Sequence, residues 1–317
     1  MNFLHDVALQ RLIEGVIGLL VVATVAGRVL TLRAASPGAR ETMQNLNRRV
    51  NAWWVMCVVF VLALLTGGIG SYVLFGLLSF LALREFVTIA PTSRGDHQAL
   101  FWAFFLVTPA QYVLIAIKWY GMFTIMIPVY AFLFITIRIV LAAETTRFLD
   151  RAAGIQWALM TCVYCLSYAP ALLGLELRGF SGQGAKLLLF LVIIFQLSDV
   201  AQYVFGKLFG RLRISPNVSP NKTWEGFLGG VAAATLAGAL IWWATPFNPW
   251  QAAIMALIVA LMGFGGGLVM SAIKRDRGVK DFGTLISGHG GVLDRVDSLT
   301  FAAPVFFHFT RFFFGGT

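Results

Sequence analysis

The apolar positions of this chain fall into long runs that are separated by short polar segments. A helix needs about 20 consecutive apolar residues to cross a bilayer. Candidate spans lie at residues 9–31, 51–66, 70–90, 99–117, 121–142, 152–174, 185–205, 226–244, 251–272 and 299–315. The second and the last are short, which leaves nine crossings open as an alternative to ten. The pattern predicts an all-α, polytopic integral membrane protein with about nine to ten transmembrane helices and short loops.

Composition supports this prediction and limits where chemistry can occur. Hydrophobic residues make up 59% of the 317 positions and the mean hydropathy is +0.81, so the chain is not a soluble globule around one core. Short loops leave no room for a soluble nucleotide-binding domain. We therefore expect N-terminal membrane helices over residues 1–184 and a C-terminal catalytic region over 185–317, with polar loops at 206–225 and 273–298.

The net charge of +10 is unevenly distributed along the chain. If residues 33–50 are cytoplasmic, strict alternation places 19 of the 24 Lys and Arg residues on the cytoplasmic side. The other five are Arg11, Lys118, Arg178, Lys186 and Arg311. This imbalance is typical of the positive-inside rule and does not indicate nucleic-acid binding. We expect a bacterial inner-membrane protein whose two polar loops face the cytoplasm, where a basic surface attracts anionic lipid.

Charged residues are concentrated between Ser271 and Asp297. These 27 positions hold Lys274, Arg275, Asp276, Arg277, Lys280, Asp281, Asp294, Arg295 and Asp297, although only 12% of the whole chain is charged. Asp294 and Asp297 are three residues apart at a predicted helix start, so their carboxylates share a face and repel each other unless a cation lies between them.

The same window carries groups suited to phosphate. Ser271 and Lys274 place a hydroxyl and an ammonium on one helix face. His289, Gly290 and Gly291 form a turn whose backbone can approach a phosphate closely. Together with the acids, these groups predict a polyphosphate site. The alternative is an ordinary basic cytoplasmic loop, which needs neither paired acids nor a Gly-Gly turn.

Two further segments carry polar groups next to apolar runs. Asp199 lies within the seventh span, where a central charge costs roughly 2.5–3.5 kcal/mol on insertion scales, so it should face a polar cavity. In the segment from Ser219 to Gly226, Ser219 and Lys222 are candidate phosphate donors, Pro220 pre-sets a turn and Thr223 caps the next helix. The alternative for this segment is a capped helix start with no binding role.

Arg84 and Glu85 lie near the inner end of the third span. They are either interfacial anchors or an indirect support for the cytoplasmic site.

The polar window resembles the signature of the phosphatidate cytidylyltransferase (CDP-diacylglycerol synthase) family. The matching residues are Ser271, Lys274, Arg275, Lys280, Asp281, Gly283, His289, Gly290, Gly291, Asp294, Arg295 and Asp297. The segments around Asp199 and Ser219 are similar to two further family motifs. The departures are Gln202, Asn221, Ser287 and Gly267, and Gly267 stands where the family has an Asp.

The resemblance implies an enzyme that transfers CMP from CTP to phosphatidic acid, releasing pyrophosphate, with Mg²⁺ and possibly a second cation. It implies a catalytic set of Lys274, Arg275, Asp281, Asp294 and Asp297. The implied metal ligands are Asp294 and Asp297, with Asp281 or Asp199 as a further acid. The implied substrate contacts are Ser219, Lys222, Thr223, Ser271, Lys274, Arg275, Lys280, His289, Gly290, Gly291 and Arg295. A homodimer is also expected from the resemblance.

A second hypothesis comes from the four departures. A catalytically silent relative would bind or move anionic lipid, or assist a partner enzyme, without turning over CTP. A transporter has less support because no inverted repeat is visible in the sequence.

The substitution Gly267→Asp tests how far the missing carboxylate limits activity. Residue 267 lies one helical turn before Ser271, so an Asp there points toward the proposed phosphate site. We expect Gly267→Asp to raise cytidylyltransferase activity and to lower the Mg²⁺ concentration that gives the half-maximal rate. Unchanged or lower activity of folded protein across a Mg²⁺ titration would contradict this.

Overall fold

The computed structural model describes residues 6–33, 37–285 and 290–315. The α-helices are α1 (Val7–Arg33), α2 (Pro37–Leu65), α3 (Gly67–Ile89), α4 (His97–Trp102), α5 (Thr108–Ala116), α6 (Tyr120–Ile125), α7 (Phe132–Val140), α8 (Phe148–Ala158), α9 (Leu166–Ala171), α10 (Gly184–Phe209), α11 (Trp224–Leu240), α12 (Pro249–Asp276) and α13 (Leu293–Phe314). One antiparallel hairpin of β1 (Arg213–Ser215) and β2 (Ser219–Thr223) joins α10 to α11.

Seven continuous helical segments are long and apolar enough to cross a membrane. They are Val7–Leu32, Gly67–Ile89, Arg94–Ala116, Tyr120–Val140, Phe148–Gly174, Gly184–Phe209 and Pro249–Asp276. Val50–Leu65 and Trp224–Leu240 are shorter apolar helices. The predicted helical membrane architecture is confirmed, whereas the number of nine to ten crossings stays a prediction.

Three of these segments contain π-helical turns, at Ala103–Val107, Met126–Ala131 and Leu159–Cys165. Two of the turns coincide with prolines, because Pro109 follows the first turn closely and Pro128 lies within the second. A proline removes one backbone donor and clashes with the preceding turn, so the regular α-helical hydrogen bonds are interrupted there.

The hairpin corrects the expectation for the segment that precedes α11. Pro220 was expected to pre-set a turn, but it lies within β2, and the turn is formed by residues 216–218. The capping prediction is confirmed, because the Thr223 hydroxyl accepts a hydrogen bond from Gly226 N at 3.2 Å. Glu225, in the first turn of α11, accepts hydrogen bonds from the backbone N–H groups of Arg211 and Leu212 and so fixes the start of the hairpin.

Helices α10 to α13 pack against one another in chain order, and α13 also contacts α3 and α9. Small residues allow this packing. A side chain at Gly266 would meet the backbone oxygen of Asp297 at 3.0 Å, and one at Gly238 would overlap Ala256. Gly266 of α12 therefore allows α13 to approach closely. Through these contacts α13 links the polar ends of α3 and α12.

Candidate active site

A cavity of about 300 Å³ lies where α10, β2, α12 and α13 meet. It is lined by Asp199, Gln202, Tyr203, Ser219, Asn221, Lys222, Thr223, Gly226, Phe227, Phe264, Gly267, Ser271, Asp297 and Ser298. Its volume is at the small end of the range for ligand sites in proteins. Six residues predicted from the sequence thus converge on one cavity although they come from four separate segments: Asp199, Ser219, Lys222, Thr223, Ser271 and Asp297.

Asp199 and Asp297 form the acidic side of this cavity. The two carboxylates are close enough to interact electrostatically, and the Ser298 side chain hydrogen-bonds Asp199. Mg²⁺ in phosphate-handling sites is commonly held by one or two carboxylates, with water and substrate phosphates completing its shell. This acid pair therefore fits one divalent cation. Within the described residues, no three acid, His or Cys side chains converge into a larger metal-binding group.

Lys222 is the cationic side of the same cavity. Its ammonium lies 4.7 Å from the centroid of the Phe264 ring. Burial lowers the pKa of Lys222 from its ordinary value, and the nearby carboxylates of Asp199 and Asp297 oppose that shift. A half-buried ammonium beside two carboxylates can neutralise them or donate to a bound phosphate.

Asp294 has a different environment from Asp297, although both residues lie at the start of α13. Its Oδ1 accepts a hydrogen bond from Lys274 Nζ at 2.7 Å. Its Oδ2 accepts from Phe282 N at 2.9 Å and Gly291 N at 3.0 Å. The side chains of Asp294 and Lys274 are only 4% and 11% exposed. This group, which we call the Asp294 cluster, ties Phe282 and Gly291 to the start of α13 and leaves both carboxylate oxygens engaged.

Glu85, on α3, holds the start of α13. Its carboxylate accepts hydrogen bonds from Val292 N and Leu293 N, each at 2.9 Å. These are among the backbone donors that a helix start leaves without an intrahelical partner. A side chain at Gly283 would lie 2.6 Å from Glu85 Oε1, and one at Gly291 would overlap Oε2. Gly291 therefore makes room for Glu85, and Arg84, the neighbour of Glu85, is exposed.

The other predicted residues surround the cavity or lie near its edge. Arg275 donates to the backbone oxygens of Val218 at 3.3 Å and Val279 at 3.0 Å, so it connects the hairpin to the loop after α12. Lys280 and Asp281 are exposed on that loop. Arg295 interacts electrostatically with Asp199.

Gly290 and Ser271 are two further predicted residues that the structure describes. Gly290 has a φ of 83°, which glycine adopts without strain. Ser271 donates to the backbone oxygen of Gly267 at 2.6 Å while it lines the cavity. His289 and Ser287 lie outside the described residues.

Sequence reasoning missed Ser298 and Phe264, which contact the two charged sides of the cavity. Ser298 directly follows Asp297 and extends the polar start of α13, which was a usable signal. Phe264 is one more aromatic residue in an apolar helix, and only its position beside Lys222 distinguishes it.

The fold and the cavity define a helical membrane protein with a polar, acid-lined site between its C-terminal helices. A model of the cytidylyltransferase family matches residues 47–313. The chain therefore belongs to this family, and the resemblance in its polar window is confirmed.

Three relatives illustrate the match. A phosphatidate cytidylyltransferase of Brucella suis is 32% identical over 275 residues, covering 86% of this chain and 95% of that protein. A phosphatidate cytidylyltransferase of Staphylococcus epidermidis is 35% identical over 155 residues, covering 47% of this chain and 59% of that protein. The uncharacterized protein YnbB of Escherichia coli is 38% identical over 305 residues, covering 96% and 99%.

The contact between Glu85 and α13 can be tested with Glu85→Gln. The amide keeps the size of the side chain but offers only one acceptor oxygen to two backbone donors. A hydrogen bond to a charged group contributes about 1.5–3 kcal/mol. We expect a lower unfolding temperature in detergent and reduced turnover. Arg84→Gln, at the exposed neighbouring position, is the control and should leave the unfolding temperature and turnover unchanged. Equal unfolding temperatures of the two variants would contradict the role assigned to Glu85.

Proposed function

We propose that this protein is a phosphatidate cytidylyltransferase, which converts CTP and phosphatidic acid to CDP-diacylglycerol and pyrophosphate in phospholipid biosynthesis. The observation that carries the proposal is the cavity in which Asp199 and Asp297 face Lys222, with the Ser219 and Ser271 hydroxyls beside them. Paired acids suit a metal that carries phosphates, and the ammonium and hydroxyls suit the phosphates themselves.

In the proposed reaction, an oxygen of the lipid phosphate attacks the α-phosphorus of CTP. A new P–O bond forms, the bond from the α-phosphorus to the bridging oxygen breaks, and pyrophosphate leaves with the electron pair. The attacking phosphate is already ionised near pH 7, so the step needs no general base. Bringing two anions together is the main barrier, and preorganised positive charge lowers it most.

Each part of the site has a proposed role. A bound Mg²⁺ would supply positive charge to the CTP phosphates, and Asp199 and Asp297 would hold it. Lys222, Ser219 and Ser271 would orient the phosphates. Arg275, Lys280 and Arg295, on the surrounding segments, would attract the anionic substrates. Lys274 would act through the Asp294 cluster, which sets the position of α13, and Asp281 remains an additional candidate acid on the loop.

The positive-inside pattern of Lys and Arg supports a bacterial inner-membrane location with the cavity facing the cytoplasm. Phosphatidic acid would then reach the site from the bilayer and CTP from the cytoplasm. We also propose a homodimer, by analogy with the family.

A silent relative that binds anionic lipid is the second candidate. Two observations favour it. Gly267 contributes no carboxylate to the cavity, and Asp294 is engaged by Lys274 and two backbone amides.

A direct assay separates the two candidates. Purified protein in detergent is incubated with CTP, phosphatidic acid and Mg²⁺, and pyrophosphate release is measured. Release that depends on all three components supports the enzyme. Binding of phosphatidic acid without release supports the silent relative.

Asp297→Asn and Asp294→Asn should have different effects on turnover and thermal stability, because Asp297 lines the cavity whereas Asp294 is held in a buried ion pair. Asp297→Asn removes charge from the cavity, so we expect turnover to fall at least about a hundredfold with little change in thermal unfolding. Asp294→Asn breaks a buried ion pair, which costs about 3–5 kcal/mol, so stability should fall as well. Near-normal turnover of folded Asp297→Asn would contradict the assignment of this acid.

A further inference from the structure

The space beside Gly267 is occupied by the end of Lys222. A Cβ atom at position 267 would lie 2.8 Å from Lys222 Nζ and 3.6 Å from Ser298 Oγ. Phe264, one turn earlier on α12, lies beside the same ammonium. Gly267 and Phe264 thus form the wall against which the ammonium rests. A side chain at 267 would require the ammonium to move.

The Lys222 ammonium lies among other charged side chains. Asp199 and Asp297 bring two negative charges to the cavity, and both interact electrostatically with Lys222. Lys274, near the end of α12, pairs with Asp294 at 2.7 Å and also interacts electrostatically with Asp297. Among the described residues that line the cavity, Lys222 is the one cation that faces the acid pair, and Arg295 interacts with Asp199 from outside that lining.

We propose that the Lys222 ammonium is a built-in counter-cation for Asp199 and Asp297, that Gly267 provides its place, and that the cavity consequently takes up a single divalent cation. The inference rests on the proposed function for its catalytic meaning, because it defines the metal content of that site. A fixed ammonium would stand where a second cation would otherwise be needed. It also repels any divalent ion bound to the same acids, so wild-type affinity is moderate.

Mn²⁺ alone is a suitable probe of this charge balance. Full-length protein in detergent is titrated with Mn²⁺ without CTP or lipid, and free Mn²⁺ is measured by electron paramagnetic resonance. We expect one Mn²⁺ per wild-type chain at this cavity, abolished in Asp297→Asn. Lys222→Met should bind Mn²⁺ at least about tenfold more tightly, because the repelling charge is gone. Lys222→Arg keeps the charge and should remain within about threefold of wild type.

Unchanged or weaker Mn²⁺ binding by Lys222→Met would overturn the proposal and leave Lys222 as a phosphate donor only.

Gly267→Ala and Gly265→Ala provide a second test that does not need the Lys222 variants to fold. A Cβ at Gly265 meets nothing within 4 Å, whereas one at Gly267 displaces the ammonium. We expect only Gly267→Ala to shift the Mn²⁺ affinity, by about threefold or more. Equal affinities of the two variants would overturn the role of Gly267.

The titration and the pyrophosphate assay fail independently. The expected Mn²⁺ pattern without turnover would reject the proposed enzyme and support the charge arrangement. Turnover together with an Mn²⁺ affinity that does not change in Lys222→Met would support the proposed enzyme and reject the charge arrangement.

Discussion

The hydrogen bonds from Val292 and Leu293 to Glu85 are the contact on which the site depends most. The start of α13 presents unpaired backbone donors in a buried setting, and a carboxylate from α3 accepts two of them. Because α13 carries both Asp294 and Asp297, this one contact helps to position both of these acids. It also connects the N-terminal helices to a cavity built from the C-terminal ones.

Charge pairing in a low-dielectric setting explains how the polar groups are divided. Each buried ion needs a partner, since an unpaired one is costly. Lys274 pairs with Asp294, and this pair connects α12 to the start of α13. Lys222 faces Asp199 and Asp297, and this group remains open to the cavity. The two ammonium groups therefore have different roles. That of Lys274 stabilises the structure, and that of Lys222 is placed to contact a ligand.

Glycines around the site leave space for charged side chains of the protein. Gly283 and Gly291 leave space for the Glu85 carboxylate, and Gly267 leaves space for the Lys222 ammonium. In each case a charged group of the protein fills the volume that a side chain would need. These glycines thus make room for neighbouring charged side chains and do not serve ligand approach alone.

The sequence by itself determined the helical membrane architecture, because long apolar runs in a bilayer must satisfy their backbone groups internally. It also determined the family, through the ordered motif, and indicated that Asp199 faces a cavity, through the cost of a charge in an apolar span. Only the tertiary structure decided that Asp294 engages Lys274 while Asp297 faces the cavity, that Pro220 lies in a strand, and that Glu85 caps a helix 208 residues away. Helical periodicity fixes spacing within one segment, whereas the partner of each charge depends on how distant segments pack.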